Sequence, residues 1–364
     1  MHRVCEKREN SNLVKLERTP GKRKSNSTRR LHSTGRTVLM LLEEYSLVPG
    51  TSQFRSKRSD WQVFRCLQEL GHETAVTEYT TVPNLLAAIE RTNPDVVFNL
   101  TDAANGDRRK DAHICALLEL IGIPYTGAGP RGLMLARDKA TSKIIASRAG
   151  FTVPRFLVIP PGVLQVPTKL PFPMVVKPRF GDASEGISGA SLVATGRRLA
   201  DRIMYLRSRG CDDIICEEYI SGRELFVGVL NDRIVRPKEF VLNRELRGAP
   251  RLLTNAFKRD PKYRRKWGVQ AVFSRLNKTH LATLAKVVHQ TSVALETRDY
   301  ARFDLILTPN DGWVFLEANP NPGLASPGTN WMGTWDSVDY QAMIADIIDR
   351  AIGRVRSKTR QAVA

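Results

Sequence analysis

The chain has no CxxC pair, and its five cysteines (Cys5, Cys66, Cys115, Cys211, Cys216) are odd in number and far apart. That pattern argues against a zinc site or a disulfide framework, and for small core residues in a reduced compartment. No apolar run approaches the ~20 residues of a membrane-spanning helix. Nor does the N-terminus lead into a signal-peptide core with a small-residue cleavage site. The expectation is therefore a cytoplasmic protein with no membrane partner. A Walker sequence, GxxxxGK[ST], is missing, and no internal repeat is visible. Acidic residues are scarce at the start: residues 1–36 hold eleven Lys and Arg against only Glu6, Glu9 and Glu17, a large share of the net charge of +19. This segment lacks apolar periodicity, which predicts a disordered basic arm over 1–36 with weak attraction for polyanions.

What is present fits an ordinary globular protein long enough for two or three domains, since hydrophobic residues make up 42% of it. "TVLMLL" at 37–42 reads as a buried strand, "SDWQVFRCLQELG" at 59–71 as a helix stopped by Gly71, "NLLAAIERTNP" as a second helix and "DVVFNL" at 95–100 as another strand. The helix "DAHICALLELIG" follows and ends at Gly122. Short apolar strands alternating with helices predict an open α/β domain over 37–130. Beyond it, "RDKATSKIIASRAG" (137–150) is a helix, "FTVPRFLVI" and "FPMVVKP" are strands, and 213–232 looks like two strands broken at Ser221-Gly222. The basic stretch from Arg236 to Ser274 reads as a mobile loop suited to an anionic ligand, or as a solvated insertion. Two further helices, "LATLAKVVHQTSVALE" and "VDYQAMIADIIDRAIG", precede a basic tail at 356–364.

The stretch "ARFDLILTPNDGWVFLEANPNPG" (301–323) sets polar residues inside apolar runs on either side of a turn. As an antiparallel hairpin turning at Asn310-Asp311, it puts Phe303, Leu305, Leu307, Val314, Leu316 and Ala318 on one core face. Asp304 then opposes Glu317, Arg302 opposes Asn319, and Ile306 opposes Phe315. Directly opposed Cβ atoms lie ~4.5–5.5 Å apart, and like charges there repel. A divalent cation relieves that repulsion, and an oxygen set of Asp, Glu and Asn suits magnesium or manganese. The plainer alternative is an ion-pair cluster in which Arg302 neutralises Asp304. Upstream, Lys177 ends an apolar strand and needs an anionic partner. The small-residue loop after it, Gly181 to Gly189, has backbone N–H groups able to wrap a phosphate. Lys139 opens a helix and offers a second phosphate contact. Glu217, Glu218 and Glu224 flank "YISG", where carboxylates suit an adenine amino group or ribose hydroxyls. Each feature singly has an ordinary structural reading, but their joint order in the chain points to a nucleotide site.

In that order the text "DVVFNL", "LLELIGIPYTGAGPRGLMLARDKATSK", "PMVVKP", "EEYISGREL" and "ARFDLIL…VFLEANPNPG" resembles the ATP-grasp superfamily and, within it, the D-alanine–D-alanine ligase family, over roughly 37–345. The resemblance implies an α/β fold, α+β in its ATP-grasp part. An N-terminal domain is followed by a central lobe at 131–227 and a C-terminal lobe at 228–355, with ATP between two antiparallel sheets. It implies that Lys139, Lys177 and Ser184 contact phosphates, and that Glu217, Tyr219, Ile220 and Glu224 surround adenine and ribose. It further implies that Asp304, Glu317 and Asn319 bind two magnesium (or manganese) ions, that Arg302 stabilises an oxyanion, and that Lys258 touches phosphate. The amino-acid side departs from the family. The Gly-Gly-x-Ser-x-Glu motif is replaced by "LEEYSLVPGTS", the His-Gly by Thr101-Asp102, and "NTSPGMT" by "NPNPGLA". The expectation is an ATP- and magnesium-dependent carboxylate–amine ligase acting on small amino-acid or carboxylate substrates through an acyl phosphate, with a homodimer left open. Synthesis of D-alanyl-D-alanine itself is one alternative. A non-catalytic nucleotide- or nucleic-acid-binding protein that uses its basic arm is another.

Overall fold

The computed structural model describes residues 13–15, 35–48, 51–56, 59–163, 170–181, 186–231, 233–242, 252, 254, 256–257, 260–330 and 332–362. In chain order the first elements are β1 (Leu13–Lys15), β2 (Thr37–Leu42), α1 (Ser59–Glu69), β3 (Glu73–Glu78), α2 (Val82–Thr92) and β4 (Val96–Asn99). Next come α3 (Asp111–Leu120), α4 (Pro130–Arg137) and α5 (Lys139–Arg148). Strands β3, β2 and β4 form a parallel sheet in that order. Along β2, Val38, Met40 and Leu42 enter one core cluster while Leu39 and Leu41 enter another. Both faces are covered, which is why this strand reads as an unbroken apolar run.

A second sheet is built from β5 (Phe156–Ile159), β6 (Met174–Pro178), β7 (Leu192–Val193) and, after α6 (Gly196–Ser208), β8 (Ile214–Glu218). Its order is β5-β8-β6-β7 and all its pairs are antiparallel. Met174, Val176, Ile214 and Cys216 pack on Leu199, Ile203 and Leu206 of α6. By strand alternation Val175, Lys177 and Glu217 turn to the opposite face.

The third sheet holds β9 (Arg223–Leu230), β10 (Arg233–Val235), β11 (Lys238–Val241), β12 (Gln270–Phe273), β13 (Tyr300–Leu307) and β14 (Trp313–Asn319), with α7 (Pro261–Trp267), α8 (Lys278–Ala294) and α9 (Tyr340–Ala362) completing the chain. Leu225, Val227, Phe303 and Leu305 pack on Leu284 and Val288 of α8. Four expectations change here. β1, inside the expected disordered arm, pairs antiparallel with β10 as an added edge strand. The expected loop from Arg236 to Ser274 contains β11, α7 and β12. The expected domain boundary between 227 and 228 falls inside β9, whose whole length pairs with β13; the chain changes sheet earlier, at Ser221-Gly222. The expected tail at 356–364 continues α9 as far as Ala362.

The hairpin register is the fifth correction. Arg302 faces Asn319 and Asp304 faces Glu317 as expected, but Ile306 faces Val314, not Phe315. The turn is the cause. Thr308 N–H donates to Gly312 O (3.0 Å) around a three-residue loop in which Asp311 is left-handed at φ 58°. Pro309 suits its first position and Asp tolerates the last. That pairing is one residue out of step with the carboxylate end, and a β-bulge at Leu316 absorbs the difference. Trp313 and Phe315, rather than Val314 and Leu316, therefore join Ala318 in the core cluster against α8, although Val314 is itself buried.

Candidate active site

The polar faces of the second and third sheets meet across a cleft. Val175, Lys177, Glu217, Glu218, Tyr219 and Ile220 line it from one side, and Glu224, Phe240, Asp304, Ile306, Leu316 and Glu317 from the other. Apolar walls with a few convergent charged groups suit a bound cofactor. The cleft brings together eight of the residues singled out in the sequence: Lys177, Glu217, Glu218, Tyr219, Ile220, Glu224, Asp304 and Glu317. Lys139, Glu317 and Asn319 share a smaller cavity beside it with Arg137. Ser184 and Lys258 lie outside the described residues.

Lys139 stands at the first position of α5, whose N-cap is Asp138; the Asp138 carboxylate accepts from Ala140 N (2.9 Å) and Thr141 N (3.3 Å). Asp138 is also clamped by Arg179 Nε at 2.8 Å, and this pairing, against burial, holds its carboxyl below the usual range. Lys139 Nζ donates to Gly181 O (2.6 Å), at the start of the small-residue loop, and lies 3.8 Å from Glu317. Arg302 forks onto Asp304 through Nε (2.7 Å) and Nη2 (3.2 Å). Asn319 Oδ1 accepts from Asn321 N at 3.2 Å.

Sequence reasoning missed Lys143. It is wholly buried, one helical turn after Lys139, and its Nζ lies 2.8 Å from Glu217 while Glu217 lies 2.9 Å from Lys177 on its other side. Burial pushes the Glu217 carboxyl up, but the two ammoniums outweigh it and hold the group at about 2. Burial pulls both lysines down. At Lys177 the carboxylates of Glu217 and Glu317 reverse that and leave it raised, whereas at Lys143 burial prevails and the ammonium falls to about 8. The i, i+4 spacing of two lysines on a helix with little apolar amphipathicity was the available signal.

Next to Lys139, Arg137 is buried and clamps Asp111 through Nε (2.9 Å) and Nη2 (2.5 Å), with Asp102 3.8 Å away. Asp102 also pairs with Arg108 at 3.3 Å. Asp102 of the Thr101-Asp102 pair is thus part of a charged cluster around Arg137, next to Lys139. Two opposed carboxylates and an amide oxygen form a hard-cation donor set that fits magnesium. Among the described residues no three Asp, Glu, His or Cys side chains gather as a metal cluster; the set here is two acids and an Asn.

A family model described as "D-ala D-ala ligase C-terminus" matches residues 160–349. An uncharacterized protein of Sinorhizobium fredii is 32% identical over 302 residues, covering 79% of this chain and 86% of its own. The D-alanine–D-alanine ligase of Cereibacter sphaeroides is 31% identical over 284 residues, covering 76% and 85%. Among solved structures, the D-alanine–D-alanine ligase of Bacillus anthracis complexed with ATP aligns at a TM-score of 0.65 and 17% identity over 88% of this chain and 99% of that one. The VanG D-Ala:D-Ser ligase of Enterococcus faecalis aligns at 0.63 and 19% identity over 86% and 99%. These two likenesses establish a common fold.

Proposed function

Because this chain belongs to the D-alanine–D-alanine ligase-like ATP-grasp family, we propose that it joins a substrate carboxylate to an amine at the expense of ATP, with the cleft between the two antiparallel sheets as its nucleotide site. It is an ADP-forming ligase that makes a C–N bond. A carboxylate oxygen attacks the γ-phosphorus of ATP and ADP leaves, giving an acyl phosphate. The amine nitrogen then attacks the acyl carbon, phosphate leaves, and the nitrogen sheds a proton. No side-chain nucleophile takes part, so catalysis consists of positioning and of charge placed ahead of need.

The observation that carries this reading is that Lys177 and the opposed pair Asp304 and Glu317, from different sheets, line one cleft. We assign phosphate contacts to Lys139 and Lys177, and adenine and ribose contacts to Tyr219, Ile220, Glu224 and the Glu217–Glu218 edge. Asp304, Glu317 and Asn319 would hold one or two magnesium ions, which neutralise charge on the phosphate oxygens when bound. Arg302, held by Asp304, is aimed at the oxyanion of the reacting carbonyl. Such an enzyme works where ATP is supplied, in the cytoplasm. Among the described residues no helix is long and apolar enough to cross a membrane.

The charged cluster of Asp102, Arg108, Asp111 and Arg137 supports an amino-acid pocket built differently from that of its relatives, so the substrates are to be identified directly. Purified protein is incubated with ATP, magnesium and an amino-acid pool that includes D-alanine, and the product is weighed by mass spectrometry. ADP release with a mass equal to two pool members less one water is the expected result. The absence of ADP release with every acceptor, together with no ATP-dependent rise in Tm, overturns the reading.

A further inference from the structure

The bulge in β14 leaves Leu316 without a partner on β13, because the ladder passes from Asp304–Glu317 to Leu305–Phe315. A partly buried carbonyl left out of the ladder gains from a donor. Lys143 Nζ supplies it at 2.5 Å. The same ammonium holds Glu217, which holds Lys177. One side chain on α5 therefore touches both walls of the cleft: the bulge that brings Glu317 opposite Asp304, and the carboxylate that keeps a charged Lys177 in place. Its neighbour one turn earlier, Lys139, reaches Gly181 O and Glu317, so α5 acts as a strut beneath the phosphate end.

We propose that Lys143 is a positioning residue of this ligase, fixing the Leu316 bulge and the Glu217–Lys177 pair so that Glu317 and Lys177 face the same ligand. The inference rests on the assignment of Asp304, Glu317 and Asn319 as the cation ligands, and it adds the group behind them. A buried ion pair without this role would cost stability alone when broken; a group supporting metal ligands costs metal affinity, typically ~10–100-fold.

The test is a Mn2+ titration of the full-length protein in the presence of a non-hydrolysable ATP analogue, read by EPR, alongside Tm. Lys143→Met is expected to weaken Mn2+ binding about 10-fold in protein that remains folded. Lys143→Gln, which can reach one partner at a time, is expected to give a smaller loss and serves if the Met variant does not fold. A lowered Tm with Mn2+ affinity within twofold of wild type, in Lys143→Met or, where that does not fold, in Lys143→Gln, overturns the inference. The failure of its premise looks different. If wild type binds no Mn2+, or if Glu317→Ala binds it as wild type does, the ligand assignment falls and this inference falls with it.

Discussion

Glu317 is opposed by Asp304 across the ladder and approached by Lys139 at 3.8 Å, so a carboxylate there is held between repulsion and a cation. Its removal relieves the repulsion and takes away a proposed cation ligand. Glu317→Ala is expected to keep the fold, with Tm at or above that of wild type, and to lower ADP release by at least ~100-fold; a coupled ADP assay and a melting curve decide it. Glu217 gives a pH prediction. Its carboxyl is lowered from 4.5 to about 2, against burial, by Lys143 and Lys177. A depressed carboxyl contributes stability that is complete above the unfolded value and lost as pH falls through the folded one. Wild type should therefore lose stability between pH 4.5 and about 2 more steeply than Glu217→Gln, as read by circular dichroism in moderate urea. The sequence led to Glu217 as a nucleotide contact, but its bond to Lys143 could not be foreseen, because α5 and β8 are far apart in the chain.

At the scale of elements, the β13–β14 hairpin shows how local rules and packing divide the work. Alternation places Asp304 and Glu317 on one face, and the turn residues call for a tight connection. The extra residue at Leu316 follows from neither alone. It is needed because a three-residue turn and a paired carboxylate end disagree by one position. Deleting Leu316 should leave a regular hairpin in which Asp304 still opposes Glu317, while the carbonyl that Lys143 holds is lost. The expected outcome is folded protein with a smaller ATP-dependent Tm rise than wild type, read by a melting curve. The Ser221-Gly222 break between β8 and β9 was legible as a break, and the structure adds its steric reason. A Cβ on Gly222 would lie 2.4 Å from Ile306 Cγ2 and 2.5 Å from Leu307 O. Gly222→Ala should cost about 1–3 kcal/mol in urea unfolding, as overpacking does.

Across the whole molecule, the parallel sheet and the large sheet are tied by a buried polar network. Asp299 accepts from Gly127 N (2.8 Å) and Arg354 Nη2 (2.9 Å), while Arg354 also donates to Tyr125 O and Arg298 to Gly127 O. Asn321 Oδ1 accepts from Ala128 N at 2.9 Å, over a Gly127 whose φ of 87° and proximity to that side chain exclude a Cβ. Trp335, in the same core cluster as Met40, Leu67 and Ile347, continues the junction. Asp299→Ala is expected to cost about 2–4 kcal/mol, because it leaves buried donors and an arginine without their acceptor; urea unfolding measures it.

The sequence by itself determined the strand–helix alternation, the core face of β13, the order of lysines and carboxylates, and through them the family and the ATP chemistry. Those features are set by residues within a few positions of one another, where periodicity and turn chemistry act. Tertiary structure alone decided that β1 joins the large sheet, that Arg236 to Ser274 carries two strands and a helix, and that Lys143 and Arg137 stand behind the cleft. Each depends on which distant surfaces meet: an edge strand needs an open edge to pair with, and a buried cation is stable only where another part of the chain brings it a carboxylate or a carbonyl.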